Sequence, residues 1–395
     1  MRFSGLSGAI AIAPGLGLFS AVSAALLHVT SYAGTLTTLN LGLIGTEGLQ
    51  TLTTSTECGT QPSWLTLRGP VLYCANEAFG KDNGTLASFS VSQNGTLALL
   101  DKVDTIGGPV NAVVYGKGCR GLAVADYAGA GLNTFNITNP KALAPVQADV
   151  FTLPHPGINP SRQEKPHPHQ AILDPSGKFL LVPDLGSDLV RVFALNVTTL
   201  RYKQLDPLVS APGSGPRHGA FLVSGNNVFL YIVHELANTI VGYTVNYTTE
   251  GLAFAQVYIS NTHGLGETPA ISGATAGEIA ISPDSRFLII SSRGEGTLSV
   301  PNFDPSNSTQ LSSDPLITFS IDPKTGALAH VQTFAAGGMV PRHFSLNKAG
   351  SLVGVALQGS ERAVVISRDP ATGLLKDFVA SVTIAGEVNN VIFNE

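Results

Sequence analysis

The chain has 395 residues, enough for one large domain or two ordinary ones, and carries a formal net charge of −5 at pH 7. Charged residues make up only 12%, while glycine and proline number 43 and 24, a composition typical of many short strands joined by turns. The negative charge and the lack of a basic stripe argue against a nucleic-acid partner and against binding to an anionic membrane surface.

The N-terminus has the pattern of a secretory signal peptide. A short basic start is followed by an apolar, small-residue stretch from Gly8 to Leu27, and Val22-Ser23-Ala24 is a small-residue cleavage pattern. Pro14 weakens the alternative of an uncleaved membrane anchor, because it interrupts a spanning helix. We therefore expect a signal peptide over residues 1–24 and a secreted mature chain over residues 25–395, without a membrane span.

Six N-glycosylation sequons of the form Asn-x-Thr support secretion. Five of them fall beside predicted strand ends, where a glycan reaches solvent. We expect N-linked glycans at Asn83, Asn94, Asn136, Asn196, Asn246 and Asn307.

Three cysteines are too few for a disulfide scaffold. Cys58 and Cys74 stand at the two ends of a predicted hairpin, so we expect a bridge between them. Cys119 lies in the next unit of the chain and is expected to remain free.

A unit of strand, turn, strand, polar loop and strand recurs along the chain. Its best-defined copy has strands predicted at Gln170–Asp174, Phe179–Val182 and Leu189–Leu195, with a turn at Asp174-Pro-Ser-Gly177. Because antiparallel neighbours bring the start of the first strand beside the end of the second, polar groups at those two positions meet at one edge.

Seven such units follow one another at intervals of about 45 to 65 residues, the length of a four-stranded propeller blade. The last unit, Val388 to Phe393, is only a first strand, and three N-terminal segments supply its missing partners: Leu26–Thr30, Thr35–Leu41 and Leu49–Ser55. A linear solenoid also repeats, but a blade split between the two ends of the chain favours a ring. We predict an all-β, seven-bladed β-propeller with four antiparallel strands per blade, closed by pairing of the N- and C-terminal segments.

In such a fold, the start of each first strand and the loop between the second and third strands lie on one face. The first strands start at Trp64, Asn111, His169, His218, Glu278, His343 and Asn389. The loops add Asp184, Glu235 and Arg293, and arginines precede two of the histidines. Capping of strand ends is the alternative role for these residues, but arginines near a channel are costly without an anion to pair with. The sequence therefore predicts a concave polar site on an apolar scaffold.

We expect a small anionic substrate at this site, in contact with His167, His218, Arg342, His343, Asp184 and Glu278. No metal site is expected, because no cysteine joins His167-Pro-His169 and the nearby carboxylates belong to other blades. The sequence also lacks a Gly-x-Ser-x-Gly elbow and a phosphate-binding glycine loop that opens a helix. We therefore expect no cofactor.

At these residues the sequence resembles the seven-bladed lactonase family of fungi and bacteria, which includes propeller-type 6-phosphogluconolactonases and fungal 3-carboxy-cis,cis-muconate cyclases. The resemblance covers essentially the whole mature chain and implies a metal-free active site at one mouth of the propeller. By position, the catalytic residues it implies are His169, Arg217, Glu235 and Arg293. His234 and Ser291 are departures, since the family pattern leads us to expect Asn at both. The matching segments are His167-Pro-His-Gln170, Asp184-Leu-Gly-Ser-Asp188, Gly215-Pro-Arg-His218, Glu235-Leu236, Ser292-Arg293, and Gly338 to Arg342 with Phe344.

Two reactions fit these groups. In lactone hydrolysis, a carboxylate or imidazole activates water and the arginines stabilise the oxyanion. In the cyclase reaction, a carboxylate of a polycarboxylate substrate adds across a double bond and a general acid protonates the adjacent carbon. A non-catalytic, glycosylated surface or adhesion propeller is the third hypothesis. The sequence carries no signal for the oligomeric state.

Overall fold

The computed structural model describes residues 25–42 and 48–395, and the predicted signal peptide, residues 1–24, lies outside them. The first three strands of the chain share one sheet: β1 (Ala25–Ser31), β2 (Thr35–Leu41) and β3 (Leu49–Ser55). Six further blades follow, each with its first strand innermost. Their strands are short and bounded by glycine-containing turns, as the composition predicts.

Blades 1 to 3 are continuous in the chain. Blade 1 contains β4 (Pro62–Arg68), β5 (Val71–Asn76), β6 (Thr85–Val91) and β7 (Leu97–Asp104). Blade 2 contains β8 (Pro109–Tyr115), β9 (Gly121–Asp126), β10 (Gly131–Asn136) and β11 (Ala144–Val150). Blade 3 contains β12 (Ile172–Leu173), β13 (Phe179–Asp184), β14 (Leu189–Leu195) and β15 (Tyr202–Val209).

Blades 4 to 6 repeat this order, with one insertion. Blade 4 contains β16 (Pro216–Ser224), β17 (Asn227–His234), β18 (Thr239–Tyr247) and β19 (Leu252–Asn261). Blade 5 contains β20 (Thr275–Ile281), β21 (Phe287–Arg293), β24 (Pro315–Ile321) and β25 (Leu328–Ala335), with the hairpin β22 (Leu298–Pro301) and β23 (Gln310–Ser313) inserted between its second and third strands. Blade 6 contains β26 (Pro341–Leu346), β27 (Leu352–Leu357), β28 (Arg362–Arg368) and β29 (Leu375–Thr383), with a 3-10 turn at Gln358–Ser360.

The last strand, β30 (Val388–Phe393), returns to β1 and completes blade 7. Leu27 pairs with Phe393 and Val29 with Val391, so the two ends of the described chain form one sheet. The predicted seven-bladed propeller and its closure by the terminal strands are confirmed.

Seven hydrophobic clusters of described residues hold the ring together, one between each pair of neighbouring blades. The cluster around Leu27, Val365 and Val391 joins blade 6 to blade 7, and the cluster around Leu36, Leu72 and Phe89 joins blade 7 to blade 1. Both faces of each middle strand are therefore buried, which explains apolar runs without alternation such as those of β13 and β21.

The pairing register shifts by one residue near the mouth end of each inner strand. In β16 the shift lies between Pro216 and His218, and in β26 between Pro341 and His343. Such a bulge re-aims side chains. Consecutive residues, Arg217 with His218 and Arg342 with His343, consequently line the same narrow space at the axis.

The first strand of blade 3 is shorter than the predicted Gln170–Asp174. Only Ile172 and Leu173 form β12, and Pro168 makes an isolated bridge with Asp184 beyond the register shift. At the other end, the Asp174 carboxylate accepts backbone N–H groups of the following turn, including that of Phe179 (2.7 Å). Together, the bulge and this turn shorten the pairing between the first and second strands of blade 3 to two residues.

Cys58 and Cys74, the pair expected to form a bridge, are joined by a disulfide, while Cys119 is free and exposed. Among the sequon asparagines, Asn136 is half-buried and the others are exposed. Within residues 25–42 and 48–395, no helix is long and apolar enough to cross a membrane.

Candidate active site

A cavity of about 580 Å³ opens at the mouth where the inner strands start. Its walls carry both charged and aromatic side chains. The charged ones are Glu77, Arg162, Glu235, Arg293, Arg342 and Glu387, and the rings are Tyr32, Phe79, Tyr127 and His169. Arginines, carboxylates and one imidazole therefore share a concave space of the size that holds a small molecule.

Glu235, which directly follows β17, is surrounded by three arginines. Its Oε2 lies 2.9 Å from Arg217 Nε and 2.9 Å from Arg293 Nη2, and its Oε1 accepts a hydrogen bond from Arg162 Nη2 at 2.5 Å. Burial alone would raise the pKa of Glu235, but the guanidinium groups of Arg293, Arg217 and Arg162 outweigh it and hold that pKa far below its usual value. The carboxylate stays ionised and fixes the positions of the arginines.

Two of these arginines are also held by backbone carbonyls. Arg217 Nη1 donates to Gly277 O at 2.8 Å, and Arg293 Nη2 donates to Ala276 O at 2.7 Å. Burial, together with the charge of Arg293, lowers the pKa of Arg217 to about 9, so its guanidinium remains protonated at neutral pH. The arginines are thus fixed cations.

His169 stands at the inner wall, next to two more buried groups. Its Nδ1 lies 3.1 Å from His218 Nε2, and His218 Nδ1 lies 2.8 Å from Glu278 Oε1. Burial, followed by the charges of Arg217 and the other nearby cations, lowers the pKa of His169 well below its usual value. His169 is therefore an uncharged imidazole at neutral pH, capable of accepting a proton.

Arg342 has the weakest anion contact of the cavity arginines. Its Nη2 is 3.5 Å from Glu77 Oε1, and the Tyr32 hydroxyl donates to that same oxygen. The guanidinium also lies over the Tyr32 ring, 5.6 Å from its centroid. Arg342 is thus the arginine that can pair with an anion entering the cavity.

The chain also matches a known protein family over most of its length. Residues 27–393 match the model of the family described as "Lactonase, 7-bladed beta-propeller". The chain belongs to this lactonase family.

Relatives of this lactonase-family protein span most of its length. It is 31% identical to a probable 6-phosphogluconolactonase of Arthroderma benhamiae over 79% of this chain and 75% of that protein. It is 27% identical to a 6-phosphogluconolactonase of Formosa agariphila, over 83% of this chain and 87% of that protein. The solved structure of a periplasmic gluconolactonase from Pseudomonas aeruginosa is similar at a TM-score of 0.78 and 25% identity, covering 94% of this chain and 99% of that one.

The structure brings the four expected catalytic residues together. His169, Glu235 and Arg293 line the cavity, while Arg217 lies directly behind Glu235. Of the expected substrate-binding residues, Arg342 lines the cavity.

His218, His343 and Glu278 are buried and do not line the cavity. His218 and His343 border a narrow extension of about 10 Å³, too small for a ligand. The Trp64 ring packs edge-on against both of these histidines. None of these three residues lines the cavity, so their contact with a substrate stays a prediction.

His167 and Asp184 do not line the cavity. The His167 ring stacks on Tyr127 at 4.1 Å, and its nitrogens lie 3.0 Å from Tyr127 O and 3.0 Å from Glu164 Oε1. The Asp184 carboxylate accepts the backbone N–H of His167 at 2.7 Å and pairs with Arg191 at 2.8 Å. Both residues shape the loop that delivers His169.

Sequence reasoning missed several cavity residues, among them two tyrosines, one glutamate and one arginine. Tyr32 and Tyr127 occupy loops between second and third strands, so the repeat rule that selected Glu235 could have found them. Glu387 immediately precedes β30. Arg162 lies in the long connection between β11 and β12, outside any repeated position, and no sequence signal marked it.

Within the part of the chain that the structure describes, no group of three or more His, Cys, Asp or Glu side chains has the arrangement to hold a metal ion.

Proposed function

We propose that the protein is a secreted enzyme that hydrolyses a small lactone bearing a carboxylate. One observation carries the proposal: the imidazole of His169 shares a cavity with the guanidinium groups of Arg293 and Arg342. A base beside fixed cations suits addition of water to a carbonyl, because the reaction creates negative charge on the carbonyl oxygen. Membership of the lactonase family supports this reaction class, as do the relatives named 6-phosphogluconolactonase.

In the proposed reaction, His169 Nε2 takes a proton from water as the water oxygen bonds to the lactone carbonyl carbon. Arg293 stabilises the resulting oxyanion, and Arg342 holds the substrate carboxylate. The ring C–O bond then breaks, and His169 returns the proton to the departing oxygen. The product is the open hydroxy acid, one water richer than the lactone.

Proton transfer belongs to His169 and not to Glu235 in this scheme. A carboxylate held by three guanidinium groups is a weak base, since protonation would leave those cations without their anion. Glu235 instead anchors Arg162, Arg217 and Arg293 around the cavity.

A substrate screen tests the proposal. It compares 6-phosphogluconolactone, glucono-1,5-lactone, a carboxylated five-membered lactone and 3-carboxy-cis,cis-muconate, because the cyclase reaction would use the same base and cations. We expect the carboxylated lactone to be hydrolysed, and His169→Asn to lower kcat by roughly 10²-fold or more. His155→Asn, at an exposed histidine outside the cavity, is the matched control. Hydrolysis of none of the lactones, or full activity of His169→Asn, would overturn the proposal.

Export is the second half of the proposal. The N-terminal pattern and the six sequons support it, and the similarity to a periplasmic gluconolactonase is consistent with it. Secreted protein is expected to begin near Ala25, the first residue of β1, and to lose mass on enzymatic deglycosylation. N-terminal sequencing that finds an intact Met1 on unglycosylated protein would refute export.

A further inference from the structure

Three buried side chains from three neighbouring blades form a continuous chain behind the cavity. His169 precedes β12 in blade 3, His218 lies in β16 of blade 4, and Glu278 lies in β20 of blade 5. The two links measure 3.1 Å and 2.8 Å. His218 and Glu278 are each no more than 4% exposed, so water does not replace these contacts.

The chemistry of the carboxylate fixes the proton on every nitrogen of this chain. Glu278 is ionised, so it only accepts hydrogen bonds and His218 Nδ1 must donate to it. His218 is neutral, which leaves its Nε2 with a lone pair. His169 Nδ1 must therefore carry a proton and donate to His218 Nε2. The remaining nitrogen, His169 Nε2, has no hydrogen-bond partner among the described residues, and His169 lines the cavity.

We propose that His218 and Glu278 are positioning residues that hold His169 with its basic Nε2 toward the cavity and share the charge it acquires. The inference rests on the proposed function, in which His169 takes a proton from water. When the water O–H bond breaks and the Nε2–H bond forms, the positive charge on His169 extends through Nδ1–H to His218. His218 in turn faces the negative Glu278. The proton leaves again on the ring oxygen of the product. The relay formed by His169, His218 and Glu278 thereby returns to its initial protonation state.

The charges around His169 make such support necessary. Arg217, Arg342 and Arg293 all oppose a positive charge on its ring, as does a charged His218. The nearest compensating anion along the chain of hydrogen bonds is Glu278. Without it, an imidazolium at this position would face three guanidinium groups in a buried space.

The surroundings of Glu278 agree with this role. Its Oε2 has no hydrogen-bond partner within residues 25–42 and 48–395, and His343 Nε2 lies 3.8 Å from it. His343 Nδ1 accepts the backbone N–H of Val391 at 3.3 Å, so its other nitrogen presents a hydrogen to the carboxylate. Arg217 also contributes positive charge near Glu278. Glu278 Oε1 also accepts the backbone N–H of Ile279 at 3.0 Å, so hydrogen bonds from neutral donors and nearby positive charge keep the carboxylate ionised.

Four variants separate a relay from a purely structural cluster. Glu278→Gln keeps an acceptor for His218 Nδ1 but removes the negative charge. His218→Leu removes the acceptor for His169, and His218→Gln restores a polar group that can accept. His28→Gln is the matched control, because His28 is a fully buried histidine in β1 whose Nδ1 contacts Thr38 at 3.1 Å, away from the cavity.

We expect His218→Leu to lower kcat about 10²-fold with little change in KM, and Glu278→Gln to lower kcat by about tenfold or more. His218→Gln should recover part of the loss, and His28→Gln should keep wild-type kcat. Wild-type kcat in His218→Leu or Glu278→Gln would overturn the inference. So would equal losses in His218→Gln and His218→Leu when both melt like the wild type.

A second measurement is independent of turnover. Nitrogen-15 NMR of the wild-type protein should find His169 protonated at Nδ1 and unprotonated at Nε2 at neutral pH, with the reverse tautomer populated in His218→Leu. A wild-type His169 protonated at Nε2 would overturn the relay even if lactones are hydrolysed. If the predicted tautomer is found but no lactone is hydrolysed, the proposed function fails while the arrangement of the relay stands.

Discussion

Glu235 and His169 line one cavity and both have a lowered pKa. Burial and then the nearby arginines lower the pKa of His169, while at Glu235 the arginines outweigh burial. The consequences differ because the two groups change charge in opposite senses. A lower pKa keeps the carboxylate negative, so Glu235 binds its arginines more firmly. A lower pKa keeps the imidazole neutral, so His169 is available as a base. At the residue scale, the same arginines thus help to keep Glu235 ionised as their anchor and His169 neutral as a base.

The pH dependence of kcat/KM follows from this arrangement. Protonation of His169 in the free enzyme removes the base, and its pKa lies below the ordinary value of about 6.5. Activity should therefore persist as the pH falls through 6.5 and decline only at lower pH. The measurement is kcat/KM from about pH 4 to pH 8, which reports groups of the free enzyme. An acid limb with its midpoint at or above 6.5 would contradict the prediction.

Stability must be followed across the same range. Burial raises the pKa of Glu278, but the hydrogen bond from His218 and the positive charge of Arg217 outweigh it and lower that pKa to about 2. A group whose pKa is depressed on folding contributes stability that is complete above its unfolded pKa, about 4.3, and is lost as the pH falls toward 2. Melting curves in each buffer separate this loss from titration of the base.

Arg217→Lys tests whether activity requires the several fixed N–H donors of a guanidinium group and not only its positive charge. Arg217 reaches Glu235 through Nε and Gly277 O through Nη1, two contacts that one ammonium group does not reproduce. We expect kcat/KM to fall by roughly tenfold or more. Arg368→Lys is the control, since Arg368 is a buried arginine in β28 whose Nη1 donates to Gly350 O at 2.8 Å, outside the cavity. Similar melting losses with an activity loss confined to Arg217→Lys would support the prediction, and unchanged kinetics of Arg217→Lys would refute it.

At the element scale, the bulge in each inner strand explains why the sequence predicted which residues lie at the mouth but not which of them line the cavity. The repeat located Arg217, His218, Arg342 and His343 at the mouth, but strict strand alternation would send neighbours to opposite faces. The register shift lets both members of each pair point to the axis. Pattern alone did not reveal that shift, and so could not separate cavity residues from the supporting residues beneath them.

The same limit applies to loops. The blade count, the ring closure and the cysteine pair followed from repetition and proximity, because those depend on strand order. Arg162 depends on the path of the segment between β11 and β12, which contains no regular structure. Its contact with Glu235 depends on tertiary packing. The sequence of this segment contains no repeat or periodicity from which that packing could be predicted.

The disulfide supports the strand that delivers Glu77. Cys58 and Cys74 are 16 residues apart, and Glu77 follows the end of β5. Cross-linking a loop of this length restricts the unfolded chain by about 3 kcal/mol. Cys58→Ala with Cys74→Ala should lower the free energy of unfolding by roughly that amount in urea titrations. Cys119→Ala, at the exposed free cysteine, should change it by less than about 0.5 kcal/mol. Equal effects of the two changes would contradict the prediction.

At the scale of the whole molecule, each blade is stable only as part of the ring. A blade contributes to the hydrophobic clusters on both of its sides, so opening any interface exposes two apolar faces. Blade 7 is the one whose strands come from both ends of the chain. Its closure therefore pairs the two strands that are farthest apart in sequence, β1 and β30. It also places His343 beside Val391 at the axis.

Two neighbouring asparagines of β30 allow that closure to be tested. The Thr30 hydroxyl donates to Asn389 Oδ1 at 2.5 Å, and Asn389 Nδ2 donates to Pro62 O at 2.9 Å, so one side chain links β1, β30 and β4. The side-chain atoms of Asn390, which is equally buried, have no hydrogen-bond partner among the described residues. Asn389→Ala should lower the free energy of unfolding by about 1–3 kcal/mol more than Asn390→Ala, because it leaves a buried hydroxyl and a buried carbonyl unpaired. The two variants remove side chains of the same volume, so the difference between them isolates the hydrogen bonds across the closure. Urea titrations with equal slopes measure it, and equal midpoints for the two variants would show that the ring is closed by apolar packing alone.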